Sequence, residues 1–547
     1  MGRRMIDPES VSVTGGDLLV AALQAQGVGD VFGLPGVQLD AAFDALARCE
    51  TIRVYHTRHE QATSYMADGY ARVAGRLAVC LVVPGPGVLN AATGLATAYA
   101  CNSPVLCVAG QVLSAEIGSG LGLLHELPDQ LQILRGLTRW AGRARRPQEI
   151  PALIAEAARR ACSGRPGPAA VEVPWDVLEA TCEPITGLPV GVAESRPPDG
   201  DALEQAAAWL HRAQRPLIVA GGGVLAAGAW EELRQLAERL AAPVALTGNG
   251  KGALSARHPL AFEPPAIPNL IREADVILAL GTRFATPEGA RWRLREGQRL
   301  IRVEVDPEEL ARGPRAEVAV EADVRRALEL LVDLLPGRGA VSWRNLDRLR
   351  ERVGEALEQL QPQAAFARAI RAALPDDAVV VDGMTQVGYW ARIGFPVYQP
   401  RTWLTSGYQG TLGFELPVGL GAQVAAPGRR VVIIVGDGGL LFNVQELATA
   451  VQHRLPVIVV VFNDGAYGNV RRIQRQRFGR VIASELHNPD LRRLAESFGV
   501  RALGAADPDR LTAALHQAQE VEEPVLIEVP VGEMADPWPL ILRTRPI

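Results

Sequence analysis

The chain has 547 residues, enough for about three or four domains of ordinary size. Apolar residues make up 48% and charged residues 21%, which is an ordinary globular composition with ample core material. The net charge of −5 excludes a protein that binds nucleic acids or anionic membranes through bulk positive charge. Lys251 is the only lysine, so no lysine Schiff base or lysine-containing phosphate loop can form elsewhere.

The N-terminal residues and the cysteines indicate a cytoplasmic protein. Two arginines near the N-terminus are not followed by the apolar run of a signal peptide, and the apolar windows 431–435 and 456–462 are too short to span a bilayer. The six cysteines form no CxxC pair and all lie in the first third of the chain. We therefore expect reduced thiols, no disulfide framework, no cysteine-ligated zinc, and neither a membrane nor a nucleic-acid partner.

Short β-branched runs alternate with helical stretches along almost the whole chain. Examples lie at 77–83, 104–110, 216–223, 275–281, 378–383, 431–438 and 456–464. Continuous apolar strands, buried on both faces, are typical of parallel sheets. Their alternation with helices predicts an α/β fold with three doubly wound parallel-sheet domains.

Two polar segments divide the chain. Residues 183–200 are rich in Pro, Gly and Glu, and residues 335–362 form a charged, weakly apolar stretch that begins with LPGRG. We expect three domains of similar size, at 12–182, 200–335 and 360–535. The first and third are candidates for distant duplicates.

The strongest chemical signal is a pair of strand ends in the third domain. One apolar run leads into GDGG at 436–439 and then a helix, and the next run, 456–462, leads into NDG at 463–465. A glycine-rich turn between a parallel strand and a helix exposes backbone N–H groups to a phosphate. The carboxyl ends of parallel strands share one edge of the sheet, so Asp437 and Asp464 can converge on one cation. Hard oxygen ligands beside a phosphate suit Mg²⁺.

This arrangement resembles the cofactor motif of the thiamine-diphosphate-dependent enzymes, which runs from GDG to a downstream Asn-Asn pair. Here 24 residues separate GDG from Asn463-Asp464. The resemblance implies that Asp437, Asp464 and the backbone carbonyl of Ala466 ligate Mg²⁺, with Asn463 as the alternative to Asp464. Aspartate in place of the second asparagine keeps an oxygen ligand and adds a negative charge. The further cofactor contacts implied by this motif are Gly438, Gly439 and Tyr467.

A region of the first domain supports the same resemblance. The run RHEQ…MADGYAR, with Glu60 as its glutamate, and the later PGPGVLNAATGLATAY at 84–99 resemble the acetolactate synthase large-subunit branch of the family. There the glutamate bonds N1′ of the cofactor's aminopyrimidine and promotes the imino tautomer that deprotonates the thiazolium C2 carbon. From the residues alone, Glu60 is a helix N-terminal carboxylate favoured by the dipole. Pro86 and Asn90 match residues that line the pyrimidine cleft.

Two further stretches of the third domain fit the family. GTLGF at 410–414 resembles the segment that holds the aminopyrimidine, with the Gly410 carbonyl as an acceptor and Leu412 wedged between the rings; a plain core leucine is the alternative. DGMTQ, at another strand end, resembles the first diphosphate-contacting turn and implies cofactor contacts from Thr385 and Gln386. In the family the glutamate domain of one subunit faces the diphosphate domain of another. The resemblance therefore implies a homodimer as the minimal unit, with a homotetramer common.

The cofactor carries the chemistry, and the pocket sets its outcome. A 2-oxo acid such as pyruvate loses carbon dioxide, and the product is either protonated or joined to a second carbonyl compound. Three positions depart from acetolactate synthase, since Trp175 replaces a lysine, Pro287 an arginine and Ile473 a tryptophan. The lost cations would have contacted an acceptor carboxylate or a flavin. The GGGV sequence at 221–224 also departs from GxGxxG, so FAD in the central domain is disfavoured.

His125, followed by Glu126, lies near the place where some decarboxylases of the family have a His-His pair. A neutral His125 is therefore a candidate proton relay, and a surface loop histidine is the alternative. The other predicted substrate-pocket residues are Val37, Gln38, Asn469 and Ile473. We expect an acetolactate synthase-like carboligase/decarboxylase with carboligation ahead of simple decarboxylation. The alternatives are a 2-oxo acid decarboxylase, a 2-hydroxyacyl lyase and a non-catalytic cofactor-binding oligomer.

Overall fold

The computed structural model describes residues 12–193, 197–285, 292–336 and 343–547. Pro287, at which the sequence departs from acetolactate synthase, lies outside these residues. The described chain forms two units. Unit 1 comprises residues 12–71 and 76–193, and unit 2 comprises residues 72–75 and the described residues from 197 onward. Among the helices in the described ranges, none has the length and apolar character needed to cross a bilayer.

Unit 1 is built on a six-stranded parallel sheet, with a short antiparallel pair beside it. Its strands are β1 (Val13–Thr14), β2 (Asp30–Gly33), β3 (Arg53–His56), β4 (Ala78–Val82), β5 (Val105–Gln111), β6 (Ala141–Arg143), β7 (Ala169–Pro174) and β8 (Thr181–Cys182). Its helices are α1 (Gly15–Ala25), α2 (Asp40–Ala47), α3 (Glu60–Ala74), α4 (Pro86–Cys101), α5 (Gln130–Leu137), α6 (Ile150–Cys162) and α7 (Trp175–Glu179). The sheet order is β3-β2-β4-β5-β7-β6, and β1 pairs with β8.

The residues of unit 1 explain this layering. Strands β4, β5 and β7 are buried along their whole length, as continuous apolar runs between two helix layers require. Helix α1 begins with a capping box, in which Thr14 and Asp17 satisfy each other's backbone N–H groups. Helix α6 buries its isoleucine side chains and most of its alanine side chains, and it carries two arginines in its last turn.

The first half of unit 2 carries a second six-stranded parallel sheet. Its strands are β9 (Pro216–Ala220), β10 (Val244–Leu246), β11 (Ala261–Phe262), β12 (Val276–Leu280), β13 (Arg299–Glu304) and β14 (Val318–Glu321). Its helices are α8 (Gly200–Arg212), α9 (Gly222–Ala226), α10 (Trp230–Leu240), α11 (Ile267–Glu273), α12 (Pro307–Arg312), α13 (Val324–Leu334) and α14 (Leu346–Glu358). Helix α14 lies in the charged stretch at 335–362 and buries Val353 and Leu357.

The second half of unit 2 carries a third six-stranded parallel sheet. Its strands are β15 (Val379–Asp382), β16 (Trp403–Thr405), β17 (Val431–Gly436), β18 (Ile458–Asn463), β19 (Arg501–Gly504) and β20 (Val525–Pro530). Its helices are α15 (Gln363–Ala373), α16 (Gln386–Gly394), α17 (Glu415–Ala425), α18 (Asp437–Leu440), α19 (Glu446–Gln452), α20 (Gly468–Phe478), α21 (Leu491–Ser497), α22 (Pro508–Gln519) and α23 (Trp538–Ile541).

The three large sheets share two strand orders. The sheets of unit 1 and of the second half of unit 2 run β3-β2-β4-β5-β7-β6 and β16-β15-β17-β18-β20-β19, which is the same order when each set is counted along the chain. The middle sheet runs β11-β10-β9-β12-β13-β14, the arrangement of dinucleotide-binding folds. The expected α/β class with three doubly wound parallel sheets is confirmed.

Lys251 lies between the two sheets of unit 2. Its side chain is 0% exposed, is ion-paired with Glu263, and lies 5.6 Å from the centre of the Trp403 ring. A buried cation is tolerated only when it is paired, and here a carboxylate and an aromatic face share that role. The only lysine of the chain therefore belongs to the core.

Candidate active site

The third sheet reverses its strand order between β15 and β17, and ligands of doubly wound sheets bind outside the carboxyl edge at such a point. Strand β15 ends at Asp382 and leads into residues 383–385, and β17 leads into Asp437. A cavity of about 390 Å³ lies at this edge, within the size range of small-molecule sites.

Most of the residues predicted for the third domain line this cavity. They are Thr385, Gln386, Gly410, Leu412, Asp437, Gly438, Gly439, Asp464, Ala466, Tyr467 and Asn469. Ile473 is not among the lining residues and is 39% exposed. The lining also contains apolar residues that the sequence did not single out, namely Met384, Tyr389, Phe462, Val470, Val531 and Met534.

Asp437 and Asp464 are neighbours at the polar end of the cavity. Asp437 is 1% exposed. Burial, and then the charge of Asp437, raise the pKa of Asp464 to about 6. Two carboxyl groups that repel each other in a buried position are stabilised by a divalent cation between them.

Asn463, the alternative metal ligand, is engaged elsewhere. Its Nδ2 donates to Glu528 Oε1 at 2.8 Å, and its Oδ1 accepts from Gly465 N at 3.3 Å and from Asn488 Nδ2 at 3.0 Å. Asp464 lines the cavity, whereas Asn463 does not. The geometry therefore favours Asp464 over Asn463 as the ligand.

The backbone of Ala466 also suits a metal ligand. Ala466 faces Glu485 in an antiparallel bridge. The two hydrogen bonds of that bridge run from Tyr467 N to Ser484 O and from Leu486 N to Gly465 O, at 2.9 and 2.8 Å. This bridge therefore does not use the Ala466 carbonyl.

The donor set fits Mg²⁺ held together with a diphosphate. The described part of the chain contains no group of three or more His, Cys, Asp or Glu side chains placed to hold a metal. Two carboxylates and one carbonyl leave the remaining positions to phosphate oxygens and water, which is how Mg²⁺ is ordinarily bound.

Two glycines at this edge permit close approach. A Cβ at Gly438 would lie 2.8 Å from the ring of Tyr467, and a Cβ at Gly468 would lie 2.4 Å from Oδ2 of Asp464. Both distances are well below van der Waals contact, so a larger residue at either position would displace a residue that lines the cavity.

Helix α20 begins beside the cavity and carries two adjacent arginines, Arg471 and Arg472. Arg471 NH2 lies 3.4 Å from Asp464 Oδ2, and its side chain is 18% exposed. Arg472, 7% exposed, pairs with Asp536 at 3.1 Å and donates to Asn469. Both arginines are therefore paired with acids, and Arg472 is buried.

Two further acids are buried close to the cavity. Asp382 pairs with Arg392 at 2.8 Å, and burial raises its pKa to about 6. Glu415 accepts a hydrogen bond from Met384 N at 3.1 Å, and burial raises its pKa to about 7. Glu415 could not be predicted from the sequence, because a buried residue at the first position of a helix has the same local pattern as an exposed one.

In unit 1 the strand order reverses between β2 and β4. Glu60 is the first residue of α3, and its Oε2 accepts a hydrogen bond from Asn90 Nδ2 at 2.9 Å. Pro86 begins α4, the helix that contains Asn90. The structure thus links the Glu60 and Asn90 of the predicted pyrimidine cleft directly.

His125 packs against the turn that precedes α4. Its φ of 68° lies in the left-handed region, and a Cβ at Gly85 would lie 2.5 Å from the His125 carbonyl oxygen. Gly85 itself has a φ of 61°. This turn therefore requires glycine, both because of its left-handed backbone and because a side chain would clash with His125. The ring Nδ1 is buried and has no hydrogen-bond partner among the described residues.

The other predicted pocket residues of unit 1 lie in the short helical turn after β2. Val37 is 45% exposed, whereas Gln38 is 2% exposed and its Oε1 has no partner within the described ranges. A buried polar network that the sequence did not reveal holds the nearby turn, since Gly85 N donates to Gln130 Oε1 at 2.8 Å and Gln130 Nε2 donates to Glu172 at 3.3 Å.

The glycine turn of the middle sheet is closed by direct backbone contact. Gly223 N donates to Gly281 O at 3.0 Å, and a Cβ at Gly221 would lie 2.2 Å from the same oxygen. The N–H group of Gly223 is therefore bonded to the backbone and does not point to a phosphate site for a flavin at this turn.

Three family models of thiamine pyrophosphate enzymes match the chain. The N-terminal TPP binding domain matches residues 13–133, the central domain 203–331 and the C-terminal TPP binding domain 383–529.

Relatives match over nearly the full length. A probable 2-ketoarginine decarboxylase of Pseudomonas aeruginosa is 38% identical, over 95% of this chain and 94% of the relative. A probable acetolactate synthase large subunit of Methanocaldococcus jannaschii is 33% identical, over 96% and 93%. The acetolactate synthase isozyme 1 large subunit of Escherichia coli is 32% identical, over 96% of each chain. The chain therefore belongs to the thiamine pyrophosphate enzyme family, as the resemblance predicted, and is a thiamine-diphosphate-dependent enzyme.

Proposed function

We propose that this chain is a Mg²⁺- and thiamine-diphosphate-dependent enzyme that decarboxylates a small 2-oxo acid. The observation that carries the proposal is the convergence of Asp437 and Asp464 in a cavity at the strand-order reversal of the third sheet. A divalent cation would stabilise these two neighbouring acids, and the glycine-rich turns beside them suit a diphosphate.

Each residue has a definite part in this proposal. Asp437, Asp464 and the Ala466 carbonyl hold Mg²⁺, and the turns at 383–386 and 437–439 bind the diphosphate. Bound thiamine diphosphate supplies the carbon nucleophile and the electron sink that a 2-oxo acid needs to lose carbon dioxide.

Glu60 would share a proton with the aminopyrimidine of the bound cofactor, and Asn90 orients the Glu60 carboxyl group. Gly410 would accept a hydrogen bond from the aminopyrimidine of the cofactor, and Leu412 would pack against its rings. These assignments come from the family resemblance, and they are supported by the Glu60–Asn90 hydrogen bond and by the positions of Gly410 and Leu412 in the cavity wall.

We propose simple decarboxylation, in which the product is protonated, as the first candidate and carboligation to a second carbonyl compound as the second. The sequence alone had favoured carboligation. His125 has a buried ring nitrogen with no partner among the described residues, and a neutral imidazole there can carry a proton. Trp175, at the position of the acetolactate synthase lysine, donates to Glu179 at 2.7 Å and offers no cation to an acceptor carboxylate. Carboligation is the second candidate, favoured by the acetolactate synthase relatives.

The proposal includes a homo-oligomer in the cytoplasm, at least a dimer and in its larger form a tetramer. Exposed apolar side chains support it. In unit 2 they lie on or near α18 and α20, at Phe442, Val470, Ile473, Phe478 and Ile482. In unit 1 they include Val37, Leu89, Leu121 and Leu124. Exposed apolar side chains that form a contiguous patch mark a place where another surface binds. Sedimentation velocity tests this part, and a monomer under assay conditions contradicts it.

Product analysis tests the reaction. The protein is incubated with thiamine diphosphate, Mg²⁺ and a panel of 2-oxo acids that includes pyruvate and 2-ketoarginine, with and without an acceptor aldehyde. Carbon dioxide with a free aldehyde supports the proposal, and carbon dioxide with a ketol supports the second candidate. Release of no carbon dioxide from any acid contradicts both, and full activity in Asp437→Ala contradicts the metal site.

A histidine variant tests the proton relay. His125→Asn should lower aldehyde release about hundredfold, in the range expected for loss of a general acid. The matched control is His211→Asn, at an exposed position near the end of α8. Equal rates of aldehyde release in the His125 variant and the wild type would remove His125 from the mechanism.

A further inference from the structure

Asn488 lies in a separate loop and bonds two residues of the proposed Mg²⁺ site, Asp437 and its neighbour Asn463. It lies between α20 and α21, 51 residues from Asp437 in sequence, and its Nδ2 donates to Asp437 Oδ2 at 2.6 Å. The same nitrogen donates to Asn463 Oδ1 at 3.0 Å. An amide nitrogen carries two hydrogens, and these two acceptors account for both.

Asn463 is itself held from the other side. Its Nδ2 donates to Glu528 Oε1, and the other oxygen of Glu528 lies 3.4 Å from Arg492 Nε. The side chain of Glu528 is 14% exposed and that of Arg492 is 55% exposed. A chain of polar contacts therefore runs from the surface to Asp437, and each amide in it has a defined orientation.

The position of Asn488 decides how Asp437 can bind a cation. A carboxylate has two oxygens, and Oδ2 of Asp437 is occupied by a short hydrogen bond. Without that bond the carboxyl group of Asp437 could rotate and offer either oxygen. Groups that hold a metal ligand in one orientation raise the affinity for the metal without touching it.

We propose that Asn488 is a positioning residue for the Mg²⁺ site, which holds Asp437 by Oδ2 and leaves Oδ1 to the cation. Asn463 acts one step further out, by fixing the orientation of Asn488. This inference rests on the proposed Mg²⁺ dependence, and it also gives Asn463 a role that excludes it as a ligand.

The loop does not depend on the Asn488 side chain for its place. Backbone hydrogen bonds from Tyr467 N to Ser484 O and from Leu486 N to Gly465 O attach it to the residues that follow β18. Replacing Asn488 by alanine leaves these bonds intact, so we expect the variant to fold.

Metal binding is measured directly with Mn²⁺ as the probe. The electron paramagnetic resonance signal of free Mn²⁺ is followed as the ion is titrated into full-length protein with saturating thiamine diphosphate, for the wild type, Asn488→Ala, Asn463→Ala and the double variant. The matched control is His487→Ala, since this neighbouring residue is exposed. Thermal unfolding without cofactor reports on the fold of each variant.

We expect Asn488→Ala to weaken Mn²⁺ binding at least about tenfold, and Asn463→Ala to weaken it less. The double variant should bind Mn²⁺ as weakly as Asn488→Ala does, because Asn463 acts only by orienting Asn488. The midpoint of activation by Mg²⁺ should rise in parallel with the Mn²⁺ dissociation constant, with a smaller change in kcat at saturating metal.

Wild-type Mn²⁺ affinity in Asn488→Ala would overturn the inference and leave the proposed function intact. A wild-type protein that neither binds Mn²⁺ nor needs a divalent cation would overturn the proposed metal site and the inference with it. If Asn488→Ala lowers the unfolding temperature, the test is made with Asn463→Ala instead. Wild-type Mn²⁺ affinity in Asn463→Ala would then overturn the inference.

Discussion

The amide of Asn90 donates a 2.9 Å hydrogen bond to Oε2 of Glu60, and so joins the first residue of α3 to the second turn of α4. A carboxyl group held in this way keeps one orientation when the cofactor's pyrimidine approaches. Pre-organisation of a proton-transfer group is worth more than its hydrogen bond alone, because no reorganisation is needed during the reaction.

Changes at Glu60 and Asn90 should therefore differ in size. Glu60→Gln removes the ionisable group and should lower kcat by about a hundredfold or more, whereas Asn90→Ala only frees the carboxyl group and should lower it about tenfold. Steady-state kinetics on the best 2-oxo acid gives both values, with the exposed Glu50→Gln as the control. An unchanged kcat in Glu60→Gln would contradict the assignment.

The second prediction concerns the pH dependence of metal binding. Because the pKa of Asp464 is raised to about 6, this ligand is protonated below that pH and ionised above it. Mg²⁺ affinity of the wild type should rise with pH through 6 and then level off. Asp464→Asn should lack this step and bind Mg²⁺ about tenfold more weakly at pH 8, because a neutral amide replaces a carboxylate. Calorimetric Mg²⁺ titrations between pH 5 and 8 check this prediction. If the rise in affinity near pH 6 persisted in Asp464→Asn, a group other than Asp464 would cause it.

The third prediction concerns stability. The pKa of Glu415 is raised from 4.5 to about 7, so the folded chain binds this proton more tightly than the unfolded chain. The stabilisation is fully present below pH 4.5 and is lost as pH rises through 7, and it corresponds to about 3 kcal/mol at most.

Glu415→Gln keeps the shape and stays neutral. Without cofactor it should match the wild type in unfolding temperature at pH 4 and exceed it at pH 8. Differential scanning calorimetry checks this, with exposed Glu496→Gln as the control. A variant that is less stable than the wild type at pH 8 would show that Glu415 is needed as a charged group.

The fourth prediction separates two neighbours on α20. Val470 lines the cavity, whereas Ile473 does not. Val470→Phe should reduce kcat/KM more for the bulkier 2-oxo acids of the panel than for pyruvate, because it fills space beside the reacting group. Ile473→Phe, once sedimentation velocity shows that it keeps the oligomeric state of the wild type, should leave that ratio within about twofold, as expected for a group outside the pocket. A larger change of the ratio in the Ile473 variant would favour the original sequence-based assignment of the pocket.

The sequence was most informative where chemistry follows directly from a strand end. Asp437 and Asp464 each follow an apolar parallel strand, and the topology of such sheets brings strand ends together without further information. The α/β class was predicted for the same reason, since apolar runs and glycine turns are local signals, whereas the family was predicted from the resemblance of several motifs.

Residues brought in by irregular segments could not be predicted. Asn488 reaches Asp437 from a loop with no periodicity, and the left-handed backbone of His125 depends on a glycine 40 positions away. The same limit applies to α20, where the choice between Val470 and Ile473 depends on the rotation of one helix about its axis. Burial of Glu415 depends on the packing of two turns that are distant in sequence.

The core position of Lys251 has a practical consequence for handling the protein. Reagents that acylate amines react with accessible, unprotonated lysines, and the folded chain presents none, because its single lysine is enclosed beside Glu263 and Trp403. Amine-directed dyes and cross-linkers will therefore leave its side chains unlabelled as long as the fold is intact. Reaction at Lys251 becomes a sensitive reporter of local opening between the two sheets of unit 2.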